Sequence, residues 1–234
     1  MSPSVDIVVP VLNEAPCVDE LCDRVAALGL FEGLIFVDNG STDDTIARIQ
    51  RRGARLVRHE RDLGWGTSIR DGIAAGDAEL IVLIDADLEY PPEAIPRLLE
   101  ALRRHPVVYA SRFLEPEPPA MSRIRVLGNR VMSGVFNLLF RQRTTDLCTG
   151  LRGVRRSALP LERLRCAGWE NVAELGAMAT EAGVRIAEVP VRYEPRDRGE
   201  SKMRHVPVAL GLVLHMLRFR LRGTGGVDRR ARAA

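Results

Sequence analysis

The run Glu79–Ile84 (ELIVLI) is unbroken apolar after its first residue, and it stops at Asp85-Ala86-Asp87-Leu88-Glu89. A strand wetted on one face alternates polar and apolar residues, whereas an uninterrupted run of this kind needs cover on both faces. Comparable short runs recur at Val5–Val11 (VDIVVPV), Gly33–Asp38 (GLIFVD), Ala54–His59 and Val107–Ala110. Between them lie apolar positions at helical spacing, in Cys17–Leu28, in Thr67–Ala75 and from Pro91-Pro92 to about Arg104. Ser41-Thr42-Asp43-Asp44 reads as a helix N-cap followed by acids in the first turn. The alternation predicts an α/β fold with a mostly parallel central sheet, right-handed crossovers and helices on both faces.

The pattern changes near Leu114. Residues 115–120 (EPEPPA) read as a loop, and a long helix is expected over Arg123–Phe140. The glycine-punctuated stretch Thr144–Gly153 follows, with no strand assigned to it. A helix over Val172–Ala182, a strand over Val184–Tyr193 and an apolar helix over Val206–Leu221 complete the series. The Gly- and Arg-rich tail from Gly223 is expected to be disordered.

Charge divides the chain in the same place. Residues 1–122 hold 12 Arg against 21 acids, and residues 123–234 hold 22 basic groups against 10 acids, although the whole chain carries only +3. Thirty-three of the basic residues are Arg; Lys202 is the single lysine. Cys17, Cys22, Cys148 and Cys166 form no CxxC pair and read as reduced thiols of a cytosolic protein. No signal peptide is evident. The longest apolar stretch, Val206–Leu217, is shorter than the ~20 residues that span a bilayer, so a soluble or peripheral protein is expected. The four histidines lack zinc spacing, GxSxG and Walker A patterns are absent, and aromatics do not interleave with basic patches as in nucleic-acid binders.

The chemistry concentrates where strands end. Ligands of open parallel sheets sit outside the carboxyl edges of the strands. Asp85, Asp87 and Glu89, at alternate positions off one such edge, are candidates to converge on a hard cation such as Mg²⁺ or Mn²⁺. Pro10-Val11-Leu12-Asn13-Glu14 and Asp38-Asn39-Gly40-Ser41 open on the same crevice and offer acceptors to a ribose or a base. Arg196, Arg198 and Lys202 lie within seven residues and could offset the charge of a diphosphate leaving group. Each has a plainer alternative: an acidic turn, an ordinary cap, a solvated charge run. Gly64-Trp65-Gly66 can likewise be helix-start geometry alone.

In order, VVPVLNE, VDNGSTDDT, GWGTSIRDGI, DADLEYPPE, SRF, DLCTGLRG and EVPVRYEPRDRGESK resemble the family 2 inverting glycosyltransferases of the GT-A fold. The likeness is greatest to the dolichyl/polyprenyl-phosphate mannosyltransferase-like branch and covers roughly residues 5–205. The resemblance implies a hexosyltransferase with one catalytic domain over residues 1–222: a nucleotide- and metal-binding half (1–112), an acceptor half with a closing loop (113–205), and an apolar, basic helix (206–222). It places the nucleotide pocket on Pro10, Leu12, Glu14, Asp38, Asp85 and Ala86, and the metal on Asp85, Asp87 and Glu89. Sugar-phosphate contacts fall on Arg112, Arg196 and Lys202, while Asp146 and Arg152 fall on the acceptor side. Leu12 stands where an aromatic is usual, Asn39 replaces the second Asp of VDDGS, and Glu89 replaces a frequent Gln. The donor base stays open between a GDP- and a UDP-sugar.

The implied reaction is a single in-line displacement at the anomeric carbon, with a divalent cation and Arg196/Lys202 on the departing diphosphate. A polyprenyl-phosphate acceptor needs no general base; a soluble hydroxyl or amine acceptor would, and Asp146 or Glu174 are the candidates. The basic, apolar C-terminal helix could lie on an anionic membrane. A non-catalytic nucleotide-sugar-binding subunit and a nucleotidyltransferase are the readings from other classes.

Overall fold

The structure is a computed structural model and describes residues 4–115, 120–195 and 205–224. Its seven strands are β1 (Val5–Val11), β2 (Leu34–Asp38), β3 (Arg55–Arg58), β4 (Leu80–Ile84), β5 (Val107–Ser111), β6 (Leu151–Arg155) and β7 (Ile186–Pro190). The helices are α1 (Ala15–Ala27), α2 (Thr45–Arg52), α3 (Trp65–Ala75), α4 (Ile95–Leu102), α5 (Arg123–Phe140), α6 (Asn171–Glu181) and α7 (His205–Arg222).

All seven strands form one sheet in the order β3-β2-β1-β4-β6-β5-β7. Every pairing is parallel except those of β6, which runs antiparallel to β4 and β5. The unbroken apolar runs are covered on both faces, as their composition demands. In β1, Ile7 and Val9 enter a core with Leu21, Phe36 and Leu98, while Val8 enters a second core with Ile69, Phe136 and Met178. Every residue of β2, β4 and β5 is buried.

Strand β6 is the element that the sequence reading lacks. It carries Arg152, Gly153 and Arg155, and so resembles neither an apolar nor an alternating run. A Cβ on Gly153 would come within 2.7 Å of Leu102 Cδ1. One further expectation is corrected. The α2 cap is Asp44 rather than Ser41, with no acid in the first turn; Asp43 Oδ1 accepts from Thr45 N at 3.0 Å. Of the tail from Gly223 only Gly223 and Thr224 lie within the described residues; Thr224 is buried and donates to Glu181 through N (2.8 Å) and Oγ1 (2.6 Å).

Candidate active site

Chain order leaves β1 toward β2 and β3 on one side, then returns to β4 on the other, so the crevice between β1 and β4 is a topological switch point. A cavity of about 330 Å³ opens at this edge. Pro10, Val11 and Leu12 line it from the end of β1, and Asp85 and Ala86 from the end of β4. Trp65 and Ser68 come from α3, Arg112 from beyond β5, and Cys148 and Gly150 from the approach to β6. The β1 and β2 ends are laced together: Asn13 N donates to Ser41 Oγ (2.9 Å), and Asn13 Oδ1 accepts from Thr42 N (2.7 Å).

Five acids (Glu14, Asp62, Asp85, Asp87, Glu89) and two arginines (Arg112, Arg125) face this space. Asp85 leaves β4 with its N–H on Gly150 O (3.2 Å) and its Oδ1 accepting from Trp65 Nε1 (3.1 Å). Burial, and after it the neighbouring Asp87, push the Asp85 carboxyl up to about 7, while Arg152 pulls the other way. Such a carboxylate is short of positive charge, the condition that a bound cation relieves. Gly150 lets this carboxylate pack close to the backbone, since a Cβ there would sit 2.2 Å from Asp85 Oδ2.

The expected convergence of three acids does not form. Among the described residues no group of three His, Cys, Asp or Glu side chains is arranged to hold a metal. Alternate positions share a face only on an extended strand. Here the chain turns, with Leu88 in the left-handed region at φ 61°, and Asp87 Oδ1 accepts from Glu89 N (3.1 Å). Glu89 lies against Tyr193, whose hydroxyl is pushed up to about 12 by burial first and by Glu89 second. Asp85 and Asp87 remain as a pair of oxygen donors, and one or two carboxylates with substrate phosphates suit Mg²⁺ or Mn²⁺.

Pro10, Leu12, Glu14, Asp85, Ala86, Asp87 and Arg112 are thus brought to one cavity. Asp38 is buried beside it; its Oδ2 accepts from Gly40 N (3.2 Å) and Ser41 N (3.1 Å), and Asn39 takes the lining position. Asp146 is wholly buried behind Arg112, bound by Arg112 Nε and Nη2 at 2.7 Å each. Glu174 is buried too and accepts from Arg165 N (2.8 Å) and Cys166 N (3.0 Å), while burial pushes its carboxyl up. Neither candidate base lines the cavity. Arg152 is also interior, with Nε and Nη2 donating to Thr149 O. Arg196, Arg198 and Lys202 lie outside the described residues.

The family model described as Glycosyl transferase family 2 matches residues 6–160. The chain belongs to glycosyl transferase family 2. Among family 2 relatives, the undecaprenyl-phosphate 4-deoxy-4-formamido-L-arabinose transferase of Edwardsiella ictaluri is 31% identical over 209 residues, covering 85% of this chain and 62% of its own. The dolichol-phosphate mannosyltransferase of Pyrococcus furiosus is 25% identical over 96% of this chain and 66% of its own. The chain therefore spans less than two thirds of the length of these relatives. Glucosyl-3-phosphoglycerate synthase from Mycobacterium tuberculosis, solved with Mn²⁺, UDP-glucose and phosphoglyceric acid, superposes with a TM-score of 0.74. At 21% identity, over 94% of this chain and 80% of that one, it establishes the GT-A fold.

Within this family 2 site, sequence reasoning missed the aromatic wall. Trp65 and Trp169 line the cavity and stack with ring centroids 5.0 Å apart and planes 14° apart. The signal was present in their being the only two tryptophans of the chain, but they stand 104 positions apart. Arg125, from α5, was missed as well.

Proposed function

We propose that this chain transfers a sugar from a nucleotide-diphospho-sugar to a polyprenyl phosphate, with inversion at the anomeric carbon. The observation that carries the reading is the paired carboxylates Asp85 and Asp87 at the β1/β4 switch point of a family 2 fold. The relatives named as undecaprenyl- and dolichol-phosphate transferases support the acceptor. Pro10, Leu12, Glu14, Asp38 and Ala86 are assigned to the nucleotide, Arg112 to the sugar-phosphate, and Arg196 and Lys202 to the diphosphate. Asp85 and Asp87, the DxD pair, would hold Mg²⁺ or Mn²⁺, with Glu89 beside them. The acid excess of the cavity fits that assignment. When bound, the cation offsets the negative charge that develops on the leaving diphosphate.

The displacement forms a bond from an acceptor phosphate oxygen to the anomeric carbon and breaks the bond from that carbon to the nucleoside diphosphate. A phosphate oxygen is already anionic near neutral pH, so no base is required. That agrees with the engagement of Asp146 by Arg112 and of Glu174 by backbone N–H groups. Residues 1–222 are assigned to one catalytic unit, since α7 packs on α5 and α6.

Contact with the cytoplasmic face of a membrane belongs to the same proposal. Among the described residues no helix is long and apolar enough to cross a membrane. Helix α7 instead exposes Leu210, Leu214, Leu217 and Leu221 at spacings of one helical face, next to exposed Arg218, Arg220 and Arg222. Its neighbour α5 exposes Ile124, Leu127, Val131 and Leu138. Apolar stripes bordered by arginine match an anionic lipid surface.

The test is transfer by purified protein with Mn²⁺, UDP- and GDP-sugars, and polyprenyl phosphate in detergent. Sugar-phosphate-lipid product of inverted configuration is expected; transfer only to a soluble hydroxyl or amine acceptor would overturn the acceptor assignment. Flotation with phosphatidylglycerol vesicles should be lost in Leu214→Glu/Leu217→Glu, and retention equal to the wild type would refute the membrane contact.

A further inference from the structure

Trp65 opens α3 between two glycines, and each glycine meets residues 166–168 backbone to backbone. A Cβ on Gly64 would lie 2.3 Å from Ala167 O, and one on Gly66 would lie 2.3 Å from Cys166 O and 2.8 Å from Gly168 O. Thr67 N donates to Ala167 O at 3.1 Å across the same junction. The facing loop is held in turn by the buried Glu174, through Arg165 N and Cys166 N. This close approach seats Trp169 on Trp65, while the Arg152 guanidinium lies 5.4 Å from the same indole. The glycines flanking Trp65 are therefore there for contact with a segment 100 positions away, beyond what starting a helix requires.

An indole so clamped has one polar atom to direct, and it directs Nε1–H at Asp85 Oδ1, 3.1 Å away. Indole nitrogen only donates, so it cannot compete with a carboxylate for a cation. By taking Oδ1 it fixes the rotation of the carboxylate, whose Oδ2 lies against Gly150 and is the oxygen not engaged by the indole. Loss of a group that orients a ligand in this way typically costs about 10–100-fold in metal affinity.

We propose that Trp65 is a positioning residue for the cation site, acting through Asp85 and locked by Trp169 and the loop at residues 165–168. The proposal rests on the reading of Asp85 as a cation ligand. Mn²⁺ binding to the full chain, followed by the electron paramagnetic resonance signal of free Mn²⁺ in the presence of UDP and, separately, GDP, tests both. Asp85→Asn should abolish binding, and Trp65→Phe, which keeps a ring but loses the N–H, should weaken it by about tenfold. Binding by Trp65→Phe as tight as the wild type, with Asp85→Asn inactive in binding, would overturn the positioning role and leave the cation reading standing. Absence of Mn²⁺ binding by the wild type with either nucleotide would overturn the cation reading itself.

A second measurement does not depend on how Trp65→Phe folds. The chain has two tryptophans, so its indole ¹⁵N–¹H spectrum holds two cross-peaks, assigned with Trp169→Phe. The Trp65 peak should move on Asp85→Asn and on addition of Mg²⁺ with the same nucleotides to the wild type. A Trp65 peak indifferent to Asp85→Asn would refute the proposal.

Discussion

Asp6 and Asp85 are carboxylates on adjacent strands of one sheet, at its opposite edges. At the amino edge, Asp6 is 3% exposed, and its Oδ2 accepts from Ala78 N (2.8 Å) and Arg156 Nη2 (2.9 Å). Arg55 Nη1 stands 3.8 Å from its other oxygen. At the carboxyl edge, Asp85 has an indole N–H and a backbone tie, and its nearest charged neighbours include Asp87 and Glu89. The protein neutralises the first charge with its own groups; at the second Arg152 is set against the neighbouring acids, and on the proposed reading a cation completes the balance. Buried charge of the first kind holds the fold; buried charge of the second kind is stored for a ligand.

The comparison breaks first at the functional edge. Asp87→Ala and Asp85→Asn should each lower sugar transfer by about 100-fold or more while the far-ultraviolet dichroism stays unchanged, on the scale of removing a group that stabilises transition-state charge. Full activity in Asp87→Ala would mean that the carboxyl edge is no more functional than the amino edge. Asp6→Asn should do the reverse. Breaking a buried pair costs about 3–5 kcal/mol, and partial exposure of Arg156 lowers this to roughly 2 kcal/mol. The melting temperature should fall by about 4–8 °C, with activity of the folded protein retained; loss of activity without loss of stability would erase the distinction.

A smaller effect sharpens it. Burial, and after it Asp87, push the Asp85 carboxyl up to about 7 in the fold against 3.8 in its ordinary setting. The folded state thus binds this proton more tightly than the unfolded chain does. The resulting stabilisation is present below pH 3.8 and is lost as pH rises through about 7. In EDTA, wild type should therefore lose stability relative to Asp85→Asn over that range, as measured by denaturant unfolding at each pH. Saturating Mn²⁺ with nucleotide should cancel the loss. A difference between the two proteins that is independent of pH would show that Asp85 is compensated internally, like Asp6.

Much of this organisation is legible in the sequence because it is local. The runs in β1, β2, β4 and β5 state their burial directly, and the acids that follow β4 mark the switch-point edge. The boundaries of α5, Arg123–Phe140, follow from Ser122, whose hydroxyl accepts from Arg125 N, and from apolar spacing. What the sequence concealed depends on distant partners. Strand β6 is masked by Arg152, which is buried because Trp65 and Tyr109 offer ring faces at 5.4 and 5.5 Å. Arg112 and Asp146 each read as polar groups for a ligand, but across 34 positions they satisfy one another. Three acids at alternate positions suggested convergence; the chain turns at a left-handed Leu88, and the three line one cavity without forming a three-ligand group.

The antiparallel β6 between β4 and β5 has a consequence for how the molecule is assembled during synthesis. When the first 115 residues have been made, β1 to β4 can pair among themselves, but β5 has no neighbour: its partners are β6 and β7. The turn bearing Asp85 likewise lacks its backbone tie until Gly150 arrives to accept its N–H. A nascent chain thus holds the acids of its carboxyl edge long before β6 arrives beside them. A fragment ending near residue 112 would be a sheet with an open edge rather than half an enzyme.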